Sequence, residues 1–242
     1  EISLQDAELL IDGSWQEGYH YTFNDHINDI AGTLTLTPIE NSVLVYYGGR
    51  VAITPSMSQK FYDVFALKAQ GEITIQGKTV QITDGRAVIE HGLGVFSTFH
   101  IYDWRWLNLH FKEGSVHLFY HSLDLRERDE GILESGEGAA TLNEEFVHFL
   151  PGTFHIQESR YLKDQSLPTK IPVEWRVTAG NDTTGKPLLD LVMKRIVHRS
   201  WIGMGREDEY VTNYIVQAKG TWKGTRIRGS GTMENQMHRI IK

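Results

Sequence analysis

The feature that most constrains this chain is its punctuation: short runs rich in β-branched and aromatic residues, alternating with polar ones and ended by Gly, Asn, Asp or Pro. GYHYTF, GTLTLTP, SVLVYYGG, GEITIQGKTVQITDG, GRAVIEHG, RWLNLHF, SVHLFYHSLDL, EFVHFL, VEWRV, LLDLVMK, YVTNYIVQAKGTWKG and TRIRGSGTME all have this form. Two pairs read as hairpins, turning at Gln76-Gly77 and at Glu113-Gly114. Helical spacing is weak, and only SMSQKFYDVFALKA at 56–69 leaves a short helix open. The acidic RERDEGILESGEG at 126–138 and AGNDTTGKP at 179–187 read as exposed loops. So many strands, with no parallel βαβ pattern, predict an all-β protein of closed antiparallel barrels or sandwiches.

A chain of 242 residues, 40% hydrophobic and 11% aromatic, fills one large β domain or two small ones. The longest apolar runs, such as VLVYY at 43–47, fall far short of the roughly 20 residues that cross a bilayer. The charged EISLQDAE lacks a signal-peptide pattern, so the reading is a soluble protein with a cytoplasmic location favoured and no transmembrane segment. Zero cysteines exclude disulfides, thiolate zinc sites and cysteine nucleophiles together. A net charge of −7 argues against nucleic acid as a partner, because phosphate binding needs clustered Lys and Arg. The one basic run, KGTWKGTRIRGSG at 219–231, reads as the solvated face of a strand pair. Oligomeric state is not legible.

One order of motifs is not generic. Gly85, Glu90-His91 and Gly94, then Trp104-Arg105-Trp106, then FKEGSVHLFY, resembles the glycine, Asp-His, glycine, Trp-rich strand and hairpin of the carotenoid 1,2-hydratase (hydroxyneurosporene synthase) and AttH-like family. IPVEWRV followed by LLDLVMK, and the ending QAKGTWKGTRIRGSGTMEN, resemble later motifs of that family, so the ordered likeness runs from about residue 70 to 240. It implies two lipocalin-like β-barrel domains in tandem, drawn here at residues 1–112 and 113–242. It also implies acid–base chemistry on long apolar isoprenoids without a metal or organic cofactor; more distant lipocalin-like relatives catalyse cyclisations, Diels–Alder reactions included. Four positions depart from the pattern: Glu90 replaces Asp, Leu93 replaces Trp, Thr212-Asn213 replaces Trp-Glu, and Tyr120-His121-Ser122 replaces Tyr-x-Asp. With those acids gone, cyclisation and isomerisation rank beside hydration.

The residues themselves suggest where the chemistry lies. A proton donor to an alkene needs a carboxyl or imidazole with a shifted pKa, and burial among aromatic rings supplies the shift. His91 with Glu90 is the expected acid–base pair, assisted by Tyr120. Adjacent strand residues point to opposite faces, so without a bulge near Gly92 and Gly94 only His91 turns inward. In WRWLNLHF, alternation sets Trp104, Trp106, Asn108 and His110 on one face and Arg105, Leu107, Leu109 and Phe111 on the other. The first set suits a pocket for an apolar ligand oriented by a few hydrogen bonds. Glu234 joins these substrate-binding candidates through the resemblance, while Trp175 reads as core. His117 and His121 share a strand face about 13 Å apart, too far to chelate one ion, so no metal is expected. The expected partner is therefore an apolar small molecule, taken either by an enzyme or by a non-catalytic carrier; a barrel filled by its own side chains would exclude both.

Overall fold

The computed structural model describes residues 2–4, 7–39, 43–45, 51–54, 57–94, 101–124, 132–202 and 210–237, and every regular element among them is a strand. In chain order these are β1 (Ile2–Leu4), β2 (Ala7–Ser14), β3 (Gly18–Asp25), β4 (Ile30–Pro38), β5 (Val43–Val45), β6 (Val51–Thr54), β7 (Met57–Ile75) and β8 (Lys78–Gly94). Then follow β9 (Ile101–Phe111), β10 (Gly114–Asp124), β11 (Ile132–Leu142), β12 (Glu145–Phe149), β13 (Phe154–Lys163), β14 (Lys170–Asn181), β15 (Pro187–Ile202), β16 (Tyr210–Trp222) and β17 (Thr225–Met237). The chain divides into two compact units, Glu1–Leu44 with Tyr62–His91, and Val45–Phe61 with Gly92–Lys242. The boundary expected after residue 112 falls inside the β9–β10 hairpin, whose Phe111 and Gly114 are paired within one sheet.

The first sheet runs β1-β2-β3-β4-β7-β5, with β6 and β8 also pairing β7. Its hairpin between β7 and β8 turns at Gln76 and Gly77, both with positive φ (49° and 73°), the backbone that a tight two-residue hairpin requires. Residues 57–69 are strand rather than helix. Val64, Phe65, Ala66 and Leu67 are all at most 1% exposed, and a run buried on successive positions has no strand alternation to betray it. The core of this unit gathers Tyr19, Leu36, Val64, Leu67 and Ala69, with Tyr62, Ala87 and Ile89 against it.

The second sheet is a nine-stranded antiparallel path, β12-β11-β10-β9-β17-β16-β15-β14-β13. It curls until strands distant along the path meet: Arg105 on β9 reaches Glu158 on the edge strand β13. One cluster drawn from all nine strands fills the curl, Leu107, Leu109, Leu118, Trp175, Val216 and Trp222 among it. Two strands of this sheet carry no strand signal in the sequence. β11 lies in the run taken as an exposed acidic loop, yet residues 136–142 are buried; residues 126–131 of that run lie outside the described residues. Gly136 and Gly138 explain the disguise, because a Cβ there would stand 2.5 Å from the Phe119 carbonyl and 2.4 Å from the Leu118 side chain. β13 is a sheet edge, its side chains mostly exposed and polar, so it carries little apolar signal.

Candidate functional site

β9 carries the division that its alternation predicts. Leu107, Leu109 and Phe111 enter the core, and Trp104, Trp106, Asn108 and His110 take the opposite, outer face. The two tryptophans therefore border the back of the sheet and not the inside of its curl. The apolar alternate set fills the interior, and the indole N–H of Trp104 finds an acceptor outside it, donating to Glu234 Oε1 at 2.8 Å.

Across this outer face the strands align a row of four residues: Arg199 on β15 opposite Asn213 on β16, Asn213 opposite Glu234 on β17, and Glu234 opposite Trp106 on β9. The row crosses a cavity of about 460 Å³ whose other walls include Val197, Ile215 and Thr232. That volume lies in the range of ordinary small-molecule sites. Burial drives the Glu234 carboxyl above its usual pKa, and the hydrogen bonds from Trp104 and Asn213 only partly oppose it. The result is an acid held closer to neutrality at the edge of an apolar hollow. His198 also borders this cavity, but Arg195 Nη1 lies 3.0 Å from its Nδ1 and Asp164 Oδ2 lies 3.1 Å from its Nε2. Both ring nitrogens are engaged, and the Tyr214 ring, which also borders the cavity, packs into the core against Trp175, which leaves Glu234 as the proton-carrying group of the cavity.

The remaining outer-face candidates are held by neighbours. Asn108 Oδ1 bonds His117 Nδ1, and Trp106 packs edge-on against the same imidazole with ring centroids 5.8 Å apart. Asn108 Nδ2 is buried without a hydrogen-bond partner, so this side chain retains a donor. His110 Nδ1 is 3.0 Å from Ser115 Oγ. On β10, burial lowers His121 to a pKa of about 4, which keeps it neutral.

Tyr120 belongs to the other face. It packs against the core, and the Arg105 guanidinium lies 5.1 Å from its ring centroid. Arg105 is in turn paired with Glu158 at 2.7 Å, and Tyr161 donates to the same carboxylate at 3.0 Å. Tyr120 therefore does not join Trp104, Trp106, Asn108 and Glu234: the pleat that puts residues 106 and 120 on neighbouring strands also turns them to opposite sides. Trp175 is fully buried, as its sequence context suggests.

In the first unit His91 is half-buried and Glu90 exposed, the division that adjacent residues on an extended strand must make. His91 stacks on Tyr62 with centroids 4.9 Å apart and planes 11° from parallel, and Tyr62 Oη is 3.2 Å from its Nδ1. Tyr62 also hydrogen-bonds Tyr19, whose pKa burial and that neighbour push up to about 12. The partner of His91 is thus a phenol from β7, which spacing along β8 does not reveal. Glu90 faces away.

Among the described residues no group of three or more His, Asp or Glu side chains gathers as a metal site would require, and no helix is long and apolar enough to cross a membrane. No known family profile matches the chain, and no curated protein does. Solved structures do. Kievitone hydratase from Nectria haematococca superposes with a TM-score of 0.70 at 13% identity, over 97% of this chain and 69% of that one. A putative AttH from Nitrosomonas europaea gives 0.68 at 15% identity, over 96% and 69%. The fold is tandem lipocalin-like. CghA, solved with Sch210972, shares it with a TM-score of 0.61 at 10% identity, over 91% of this chain and 64% of that one. This lipocalin-like chain thus spans about two thirds of the length of these neighbours, and the shared property is the fold.

Proposed function

We propose that this lipocalin-like chain is an enzyme that binds an apolar isoprenoid, polyene or polyketide and promotes its cyclisation, isomerisation or hydration by acid–base chemistry, without a metal or organic cofactor. The observation that carries the reading is Glu234: a carboxyl whose pKa is raised by burial, fixed by the Trp104 indole, beside an apolar cavity of about 460 Å³. Glu234 donates the proton, the Trp106 face lies beside the cation that forms, and such a cation–π contact is worth about 0.5 to 2 kcal/mol. In an isomerisation the same carboxylate takes a proton back from a neighbouring carbon; in a hydration water bonds to the cation and its extra proton returns to the carboxylate. Holding the reacting ends of a polyene together accelerates a cyclisation through proximity as well. One neighbouring fold bears a name consistent with this chemistry, a hydratase, and another was solved together with Sch210972.

Glu90 takes no part in this scheme. His91 with Tyr62 and Tyr19 forms a separate chain of proton-bearing groups in the first unit, and Tyr120 serves the inner ion pair. The test begins with mass spectrometry of small molecules extracted from the purified protein, followed by turnover of the identified class in D₂O. Glu234→Gln keeps the shape and removes the acid, so deuterium incorporation and product formation fall by about 10²- to 10⁴-fold while affinity for the extracted molecule stays within a few-fold. Undiminished turnover in that variant removes Glu234 as the acid. A protein that returns every extracted molecule unchanged is a carrier.

A further inference from the structure

The cavity is not uniformly apolar, and its polarity is directional. At one end stand Trp106 and Glu234; two strands away along the same row stands Arg199, at a backbone separation of roughly 10 Å for two interstrand steps. Between and beside them lie Asn213, Val197 and Ile215. Arg199 is exposed and makes no ion pair among the described residues, unlike Arg105, Arg176 and Arg86, which each pair with a carboxylate. The outer face of β15 to β17 carries further cations with no ion pair among the described residues: Lys219 and Arg228 border a smaller hollow of about 230 Å³ on the same face. In a chain of net charge −7 this is a local reversal of sign, and it includes the run at 219–231 that the sequence marks as basic.

We infer that the molecule bound in this cavity is an amphiphilic acid: an apolar body lying between Trp106 and the Val197–Ile215 pair, with an anionic group such as a carboxylate or an ionised enol or phenol gripped by Arg199. This deepens, and rests on, the assignment of the cavity as the substrate site. A guanidinium presents a planar fork of donors that matches a carboxylate-like group in two places at once, and the cationic face around it draws anions from solution. Asn213, between Arg199 and Glu234, supplies a neutral amide where a second carboxylate would repel the ligand. Arg199 therefore fixes which end of the substrate enters which end of the row, and so which carbon meets Glu234. It is a specificity residue and takes no proton.

Two fluorescent probes with one ring system separate charge from grease. Anilinonaphthalene sulfonate is an apolar aromatic anion, and N-phenylnaphthylamine is the same body without the sulfonate. The wild-type protein binds the anion more tightly, and Arg199→Gln weakens the anion roughly five- to tenfold while leaving the neutral probe unchanged. Raised salt reproduces the loss in the wild type, and Lys112→Gln, at an exposed turn, changes neither probe. Equal weakening of both probes by Arg199→Gln, or of neither, overturns the acid assignment. Trp106→Ala weakens both; if it weakens neither, the cavity is not the site and the reading above falls with it. Loss of anion preference in Arg199→Gln alongside undiminished turnover in Glu234→Gln would keep the ligand class and remove only the acid role.

Discussion

On the inner face of β9, Arg105 meets Glu158 at 2.7 Å with both side chains less than a tenth exposed; on the outer face of the adjoining β17, Glu234 is also sheltered, yet its partners are the neutral Trp104 and Asn213. One face answers buried charge with opposite charge. On the outer face His121 is neutral because burial disfavours its cation, and Arg199 makes no ion pair among the described residues. Buried ion pairs are rigid and fully engaged, which suits a core. A buried acid without a cation stays protonatable, which suits proton transfer. The difference separates polar groups that maintain the fold from those available for chemistry, although both sit on one strand and its neighbours.

The largest test breaks the inner pair. Arg105→Ala strands Glu158 in a dry interior and should cost about 3 to 5 kcal/mol in urea unfolding, whereas replacing both partners with leucine should cost much less. A single substitution costing under about 1 kcal/mol would mean the pair is solvated, and the contrast between faces would dissolve.

Next in size is a pH effect on the outer face. His121 has an ordinary pKa of 6.5 and a folded one of about 4, so the unfolded chain takes up its proton first as pH falls. The stability from keeping it neutral is therefore intact above pH 6.5 and is lost on descending through that value towards 4, on the order of 3 kcal/mol in all. His121→Phe removes the titration, and urea midpoints measured between pH 7 and 4 should fall less steeply than in the wild type. Parallel slopes would show that His121 is hydrated in the fold.

Much of this was legible in the sequence, and the limits have physical causes. Period-two patterning revealed the β class and the two faces of β9, because alternation is a property of the backbone. It could not say which face was concave, since curl depends on strands far apart in the chain: Glu158, which closes on Arg105, lies on an edge strand that the reading passed over. Alternation sets Trp104 and Trp106 on one face with Asn108 and His110, while the pairing of Tyr120 with Arg105 on the next strand, which the sequence does not reveal, turns Tyr120 to the other. Likewise, Thr212-Asn213 marked a missing acid, while the register sets Asn213 directly opposite Glu234, so an acid reaches the same row from the next strand. Arg199 carried no signal at all. An exposed arginine in a strand becomes notable only when its neighbours across the sheet are known.

The smallest expected effect concerns a pair that resembles the inner one in composition alone. Arg176 and Asp190 make two hydrogen bonds, at 3.1 and 2.8 Å, with the arginine side chain 58% exposed. This arginine–carboxylate pair bonds both Asp190 oxygens, where Arg105 sends both of its bonds to one oxygen of Glu158, yet it should be worth far less, because water screens the attraction and solvates either partner left alone. Arg176→Ala should therefore leave the urea midpoint close to that of the wild type, with any difference shrinking in added salt. If it matched the loss in Arg105→Ala, geometry rather than dryness would set the worth of these pairs. Burial would then no longer distinguish the inner ion pair from the outer acid, whose raised pKa has no other source, since the Trp104 and Asn213 hydrogen bonds both act to lower it.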